Sequence, residues 1–155
     1  MLARGIQTEQ SSAGRAERIV EMNKGWGLSI LRVAVGIVFV AHGSQKLFVF
    51  GFAGVQGMLT QLGFPIPMVL AWILTLVEFL GGIALVLGLY TRWAAILLAI
   101  NMAVAILKVH LPGGFFLPKG FEFAFTLFAA NIALALAGPG AASLDRLLFA
   151  KKSGA

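Results

Sequence analysis

Cysteine is absent from the chain, which excludes disulfides, thiolate metal sites, iron–sulfur ligation and thiol relays, and leaves its redox compartment unmarked. Imidazoles are nearly as scarce: His42 and His110 are the only two, and no metal site is expected. Charge is thin as well. Only 12% of the 155 residues are charged, against roughly 25% in soluble domains, while 59% are hydrophobic and the mean hydropathy is +0.93. An ordinary soluble domain is thereby excluded, and the chain reads as an integral membrane protein in contact with the lipid bilayer. The net charge of +6 does not redirect it toward nucleic acid. Its basic residues gather in the terminal segments and never interleave with aromatics as a nucleic-acid surface requires, so no such partner is expected.

What the chain does have is apolar runs interrupted at a few points by charge. The first runs from Gly27 to Phe50 and carries Arg32, His42 and Lys46. At ~100° per residue, Arg32, Gly36, Phe39, Gly43 and Lys46 fall within an arc of about 80°, with His42 at its edge. One face of this helix is polar and small, and the rest is Ile, Leu, Val and Phe. Charges at membrane depth need partners, so the polar face is expected to look into a bundle. The span is placed at 26–50, with Trp26 at the interface. Residues 1–25 before it form a polar tail without the apolar core of a signal peptide. Ser11 or Ser12 would cap a short helix there, with Ile19, Val20 and Met22 touching the membrane surface; a disordered tail is the alternative.

Residues 51–66 carry no charge but hold four glycines and Pro65, too broken for a span and too apolar for a free loop, so a short surface helix is expected. A second span, 67–88, opens on proline where the missing donor costs least. Glu78 lies at its centre, followed by Gly81 and Gly82, a small surface beside a carboxylate against which a neighbouring backbone packs closely. Arg32 is the natural partner for Glu78 as a buried ion pair, and Gly36, Gly43, Gly81 and Gly82 are read as helix-packing positions. A third span, 93–109, is interrupted by Asn101 and Lys108, which are seven residues apart and so share a face expected to point into the bundle. After a Pro- and Gly-rich loop at 110–120, a fourth span, 121–137, begins near Glu122. Segment 138–155 opens with Gly138-Pro139-Gly140, and Ser143 then caps a brief amphipathic helix whose Arg146, Lys151 and Lys152 face headgroups. The fold expected is an all-α membrane protein: a four-helix transmembrane bundle with short interfacial helices. A weak echo joins the first and third helices, each ending in His and Lys ahead of Gly and Phe.

Lysine and arginine near the spans divide eight on the side of both termini against three on the other, which places both termini of a multi-pass membrane protein in the cytoplasm. The polar residues then sort by depth. His42, Lys46, Lys108, His110 and Glu122 collect near the outer face and form a candidate binding pocket under the Phe115-Phe116 loop, with Glu78 near mid-membrane and Arg32 inward of it. Lysines, histidines and one carboxylate beside phenylalanines suit the head and tail of a quinone. Haem ligation by the two histidines would need facing helices and equal depth, whereas His42 lies several residues inside and His110 beside the loop. The bland readings are an ion pair that docks two helices and lysines that snorkel to headgroups.

Arg32, the run His42-Gly43-Ser44-Gln45-Lys46-Leu47, Glu78-Phe79-Leu80-Gly81-Gly82, Gly88-Leu89-Tyr90-Thr91-Arg92, Gly113-Gly114-Phe115-Phe116, and Gly138-Pro139-Gly140 with Ser143-Leu144-Asp145 stand in an order that resembles the DoxX family of small bacterial membrane proteins. The resemblance covers about residues 26–148. It implies a four-helix integral membrane protein, in a family named for a subunit associated with quinone-linked sulfur oxidation, with some members linked to oxidative-stress responses. An accessory subunit of a membrane redox or quinone-linked complex is the first function expected, quinone being the one cofactor suggested and no catalytic residue being assigned. A membrane scaffold or assembly protein and a small oligomeric transporter are the alternatives, and each implies protein partners or a homo-oligomer.

Overall fold

The computed structural model describes the backbone from Leu2 to Phe149 and side chains from Gly14 to Phe149. Every regular element in it is helical. Helix α1 spans Leu2–Ser44 and continues without a break through a π-helical turn, Gln45–Phe50, into α2, Gly51–Gln61. Helix α3 spans Pro67–Leu87, α4 spans Thr91–Ala105 and runs on through a second π-helical turn at Ile106–His110, α5 spans Glu122–Ala137, and α6 is the short Leu144–Phe149.

The backbone is helical on both sides of the expected boundary between tail and first span, since α1 runs from Leu2 through Trp26 to Ser44. No proline interrupts that stretch, and local bonds support it: Lys24 reaches Glu21 at 3.2 Å and Arg18 Nε donates to Gly14 O at 3.2 Å. The side chains of Ser11, Ser12, Lys151 and Lys152, to which capping and headgroup contacts were assigned, lie outside the described residues. Helix α3 begins with Pro67 in its first turn and ends on Gly88 at φ +69°, where Leu89 N–H closes back on Ala84 O at 2.9 Å, the wrapped helix end that a left-handed glycine permits.

Helix α1 packs on α3, α3 on α4, α4 on α5, and α5 returns to α1, while α2 folds back on α3. Phe39, Leu85, Leu98 and Leu134 fill the centre, and Val55, Leu59 and Ala71 form a satellite core between α2 and α3. Glycine decides how closely α1 and α3 approach. A Cβ on Gly43 would stand 2.7 Å from the backbone N of Phe79, and one on Gly82 would stand 2.7 Å from Val40 N. Gly36 faces the same seam, whereas Gly81 turns toward Leu98 of α4. The outside of the bundle is the inverse of a soluble surface: Ile30, Ile37, Leu80, Trp93, Leu97 and Leu136 are all exposed. Three helical stretches, Gly14–Gln61, Pro67–Leu87 and Thr91–Gly113, are long and apolar enough to cross a membrane. Helix α5, with 16 residues, is ~24 Å long at ~1.5 Å per residue, shorter than a hydrocarbon core of ~30 Å. The molecule is an all-α membrane bundle.

Candidate functional site

One arc of α1 carries the site. Arg32, Gly36, Phe39 and Gly43 are all buried and Lys46 nearly so, as one helical stripe facing α3 and the bundle axis. At its far end Lys46 sits in the π-helical turn, and its ammonium binds Glu78 Oε2 on α3. The other carboxylate oxygen, Oε1, accepts from Asn101 Nδ2 of α4 at 2.8 Å. Glu78 is only 3% exposed, so its charge is held by one ammonium and one amide from two different helices. A buried carboxylate requires such partners, since desolvation without them costs several kcal/mol.

This cluster lines a cavity of about 300 Å³. Its polar lining is His42, Gln45, Lys46, Glu78, Asn101 and His110, and its apolar walls include Phe39, Phe50, Phe64, Leu74, Met102, Phe123 and Leu127. The His42 ring lies 6.1 Å from that of Phe123 across the α1–α5 side. Both π-helical turns border the cavity, one supplying Lys46 and the other His110. Such widened turns recur at functional sites because they re-aim side chains that a regular helix would point elsewhere. The His and Lys echo between the two helices therefore coincides with a shared local geometry.

Arg32 and Glu78 are not a pair. Arg32 lies near the opposite end of the bundle, where its guanidinium donates only to backbone carbonyls: Nε to Pro139 O at 3.0 Å, Nη1 to Leu85 O and to Val86 O, the latter at 3.0 Å, and Nη2 to Ala142 O at 2.6 Å. Two of these acceptors are carbonyls in the last turn of α3, the negative pole of that helix, and Leu85 O accepts Gly88 N–H at 3.1 Å as well. The physical reason for the exchange is reach. Lys46 stands at the level of Glu78, and a planar five-donor guanidinium satisfies a ring of carbonyls that a single carboxylate could not replace. Arg32 thus ties α1 and α3 to the strap formed by Gly138–Ser143. The strap is held further by Ala141 N–H on Gly25 O at 2.9 Å and Ala142 N–H on Ser29 Oγ at 3.1 Å. Gly140, at φ +80°, leaves room for that crossing, since a Cβ there would stand 2.6 Å from Ser29 Oγ.

Of the five residues assigned to a pocket, His42, Lys46 and His110 share the cavity, and Lys108 and Glu122 do not. Lys108 is exposed, because the π-helical turn at Ile106–His110 changes the angular step and a seven-residue spacing from Asn101 no longer returns to the same face. Glu122 accepts Leu117 N–H at 2.8 Å and so closes its own loop. Phe115 and Phe116 pack edge to face with each other at 5.2 Å and leave the cavity uncovered. Sequence reasoning singled out Asn101 as inward-facing but missed it as the second partner of Glu78; a lone amide in an apolar run was the available signal. It also missed Asp145, whose carboxylate accepts Tyr90 N–H at 2.7 Å and Thr91 N–H at 2.9 Å and so caps α4 from outside its own helix. Among the described residues no group of three or more His, Asp or Glu is arranged to hold a metal ion.

Comparison with known proteins fits this architecture. Residues 27–111 match the DoxX family model. The chain is 34% identical over 137 residues to "Putative oxidoreductase CatD" of Bacillus subtilis (strain 168), covering 86% of this chain and 97% of that protein. It is 34% identical over 125 residues to "Inner membrane protein YphA" of Escherichia coli (strain K12), covering 77% and 88% respectively, and 32% identical over 132 residues to "Inner membrane protein YqjF" of the same organism, covering 81% and 94%. No solved structure matches. The family model takes in the whole stripe from Arg32 to Lys46, Glu78 and Asn101, and with relatives aligned over nearly their full length the chain belongs to the DoxX family of membrane proteins.

Proposed function

We propose that this chain is an accessory component of a redox or quinone-linked complex of the bacterial inner membrane, and that its cavity takes the polar head of a quinone. The observation that carries this reading is the cavity itself, whose lining combines a paired carboxylate–ammonium–amide cluster, two imidazoles and a further amide with aromatic and aliphatic side chains. A volume of about 300 Å³ suits a ring-sized head, at the lower end of the ~300–1,000 Å³ of ligand pockets. Lys46, His42 and His110 supply hydrogen-bond donors for a carbonyl, and an imidazole, which both donates and accepts a proton, suits proton transfer during quinone reduction. The oxidoreductase name of the Bacillus subtilis relative favours redox company. Electrons would come from a redox partner in that complex. The charge bias of the segments supports termini in the cytoplasm, an orientation in which the cavity would open toward the outer leaflet.

The test is binding of a short-chain benzoquinone analogue to the purified chain in detergent. Affinity should fall about tenfold or more, roughly ~1.4 kcal/mol, in His42→Ala and in Lys46→Ala, with helicity checked by circular dichroism. No binding by the parent, or unchanged binding in both variants, would move a scaffold role to first place. That second reading has its own support: the Lys46, Glu78 and Asn101 cluster already joins three helices without any ligand.

A further inference from the structure

We infer that the shallow groove at the α3–α4 turn binds the phosphate of an anionic phospholipid. The groove has a volume of about 400 Å³ and is framed by Tyr90, Arg92, Trp93, Asp145, Arg146 and Phe149. It lies at the Arg32 end of the bundle, away from the cavity that holds Glu78. Two guanidinium groups meet here from distant parts of the chain, one in the first turn of α4 and one in α6. Asp145 offsets one of the two charges and leaves the groove net positive; its oxygens accept backbone N–H groups, at 2.7 Å from Tyr90 and 2.9 Å from Thr91, and among the described residues it forms no ion pair with either arginine. Among the described residues Arg92 has no acceptor, and Arg146 reaches only Ala141 O at 3.4 Å, the outer limit of a hydrogen bond. Arg92 lies over Gly138, where a Cβ would stand 3.4 Å from its Nε, so its fork is placed beside the strap.

What distinguishes a lipid phosphate from a free one is the apolar track that continues from the groove. Trp93 is 69% exposed, and Ile96 and Leu97 follow one helical turn on, with Ile100 a further turn along the outer face of α4. Tyr90 and Phe149, with ring centroids 5.9 Å apart, close the opposite wall. A phosphodiester held by two guanidiniums would thus lead its acyl chain down a helix face that already meets lipid. Paired arginines recognise phosphate oxygens bidentately, interfacial aromatics settle at headgroup level, and basic pockets beside membrane helices take anionic headgroups.

The full chain, purified in detergent, should retain phosphatidylglycerol in native mass spectrometry more strongly than phosphatidylcholine of the same acyl length. Apparent affinity for phosphatidylglycerol should fall about fivefold in Arg92→Gln and again in Arg146→Gln, the equivalent of ~1 kcal/mol per arginine, and stay unchanged in Lys119→Gln at the other end of the bundle. Both arginines are exposed and cap nothing with their side chains' charge, and circular dichroism of each variant verifies that the helices persist. Equal retention of the two lipids, or an equal loss in Lys119→Gln, would overturn the site. Displacement of phosphatidylglycerol by inorganic phosphate at similar concentration would overturn its assignment to lipid.

Discussion

Replacing Lys46 by Met removes the ammonium but keeps the length of the side chain, and leaves Glu78 in the interior with Asn101 as its sole partner. Replacing Glu78 by Gln strands the ammonium instead while preserving an amide oxygen for Asn101. Loss of one partner of a buried pair costs ~3–5 kcal/mol in soluble proteins. The Lys46 side chain retains 19% exposure at the cavity, through which water reaches it, so Glu78→Gln should cost less than Lys46→Met, and the latter about 3 kcal/mol. The double variant leaves a neutral Gln–Asn hydrogen bond between α3 and α4 and no buried charge, so its stability should return to within about 1 kcal/mol of the parent. In thermal unfolding monitored by circular dichroism, a shift of ~2–4 °C per kcal/mol makes the Lys46→Met loss roughly 6–12 °C. The reasoning fails if the two single losses simply add in the double variant. A parallel cycle with Arg32→Met and Glu78→Gln should be additive, since those two side chains occupy opposite ends of the bundle.

Gly43→Ala should destabilise by ~1–3 kcal/mol, because its Cβ would meet the Phe79 backbone at 2.7 Å and force α1 from α3, whereas Gly27→Ala, with no atom within 4 Å, should be neutral or gain up to ~1 kcal/mol of helix propensity in the same melting assay. Arg32→Lys cannot span the carbonyls of Leu85, Val86, Pro139 and Ala142, and limited proteolysis should then cut within the 138–143 strap at rates the parent does not show. Asp145→Ala removes the acceptor for two N–H groups at the start of α4 and should cost ~0.5–2 kcal/mol, with faster amide exchange at Tyr90 and Thr91; unchanged exchange would deny it the capping role. Cysteines placed at Gln56 and Lys119 should react with an impermeant thiol reagent outside intact cells, and labelling only after lysis would reverse the proposed orientation.

Much of this architecture was legible before any coordinates. Apolar runs separated by glycine and proline define α3, α4 and α5, and a short uncharged stretch between breakers defines α2, because backbone groups in lipid must satisfy themselves within a helix. The stripe from Arg32 through Gly36, Phe39 and Gly43 to Lys46 was equally legible, since α-helical periodicity holds along that part of α1. Periodicity stopped informing where the helix changed type. The π-helical turn at Ile106–His110, which no composition rule marks, carried Lys108 off its expected face while His110 remained at the cavity.

Pairing was the other matter left to the tertiary structure. From sequence, Arg32 and Glu78 are the deepest opposite charges on neighbouring helices, and each demands a partner; the sequence itself determines that demand. Which partner answers it depends on axial register between helices and on where the chain returns after its last long helix. Glycines at the α1–α3 seam set that register so that Lys46 comes level with Glu78, and the Gly138–Ser143 strap brings two carbonyls back to Arg32 across more than a hundred residues of chain. The charges at depth are thus written in the one-dimensional order, and their satisfaction is decided by helix packing, because a hydrogen bond needs its partners within about 3 Å and only the folded chain fixes distances that small.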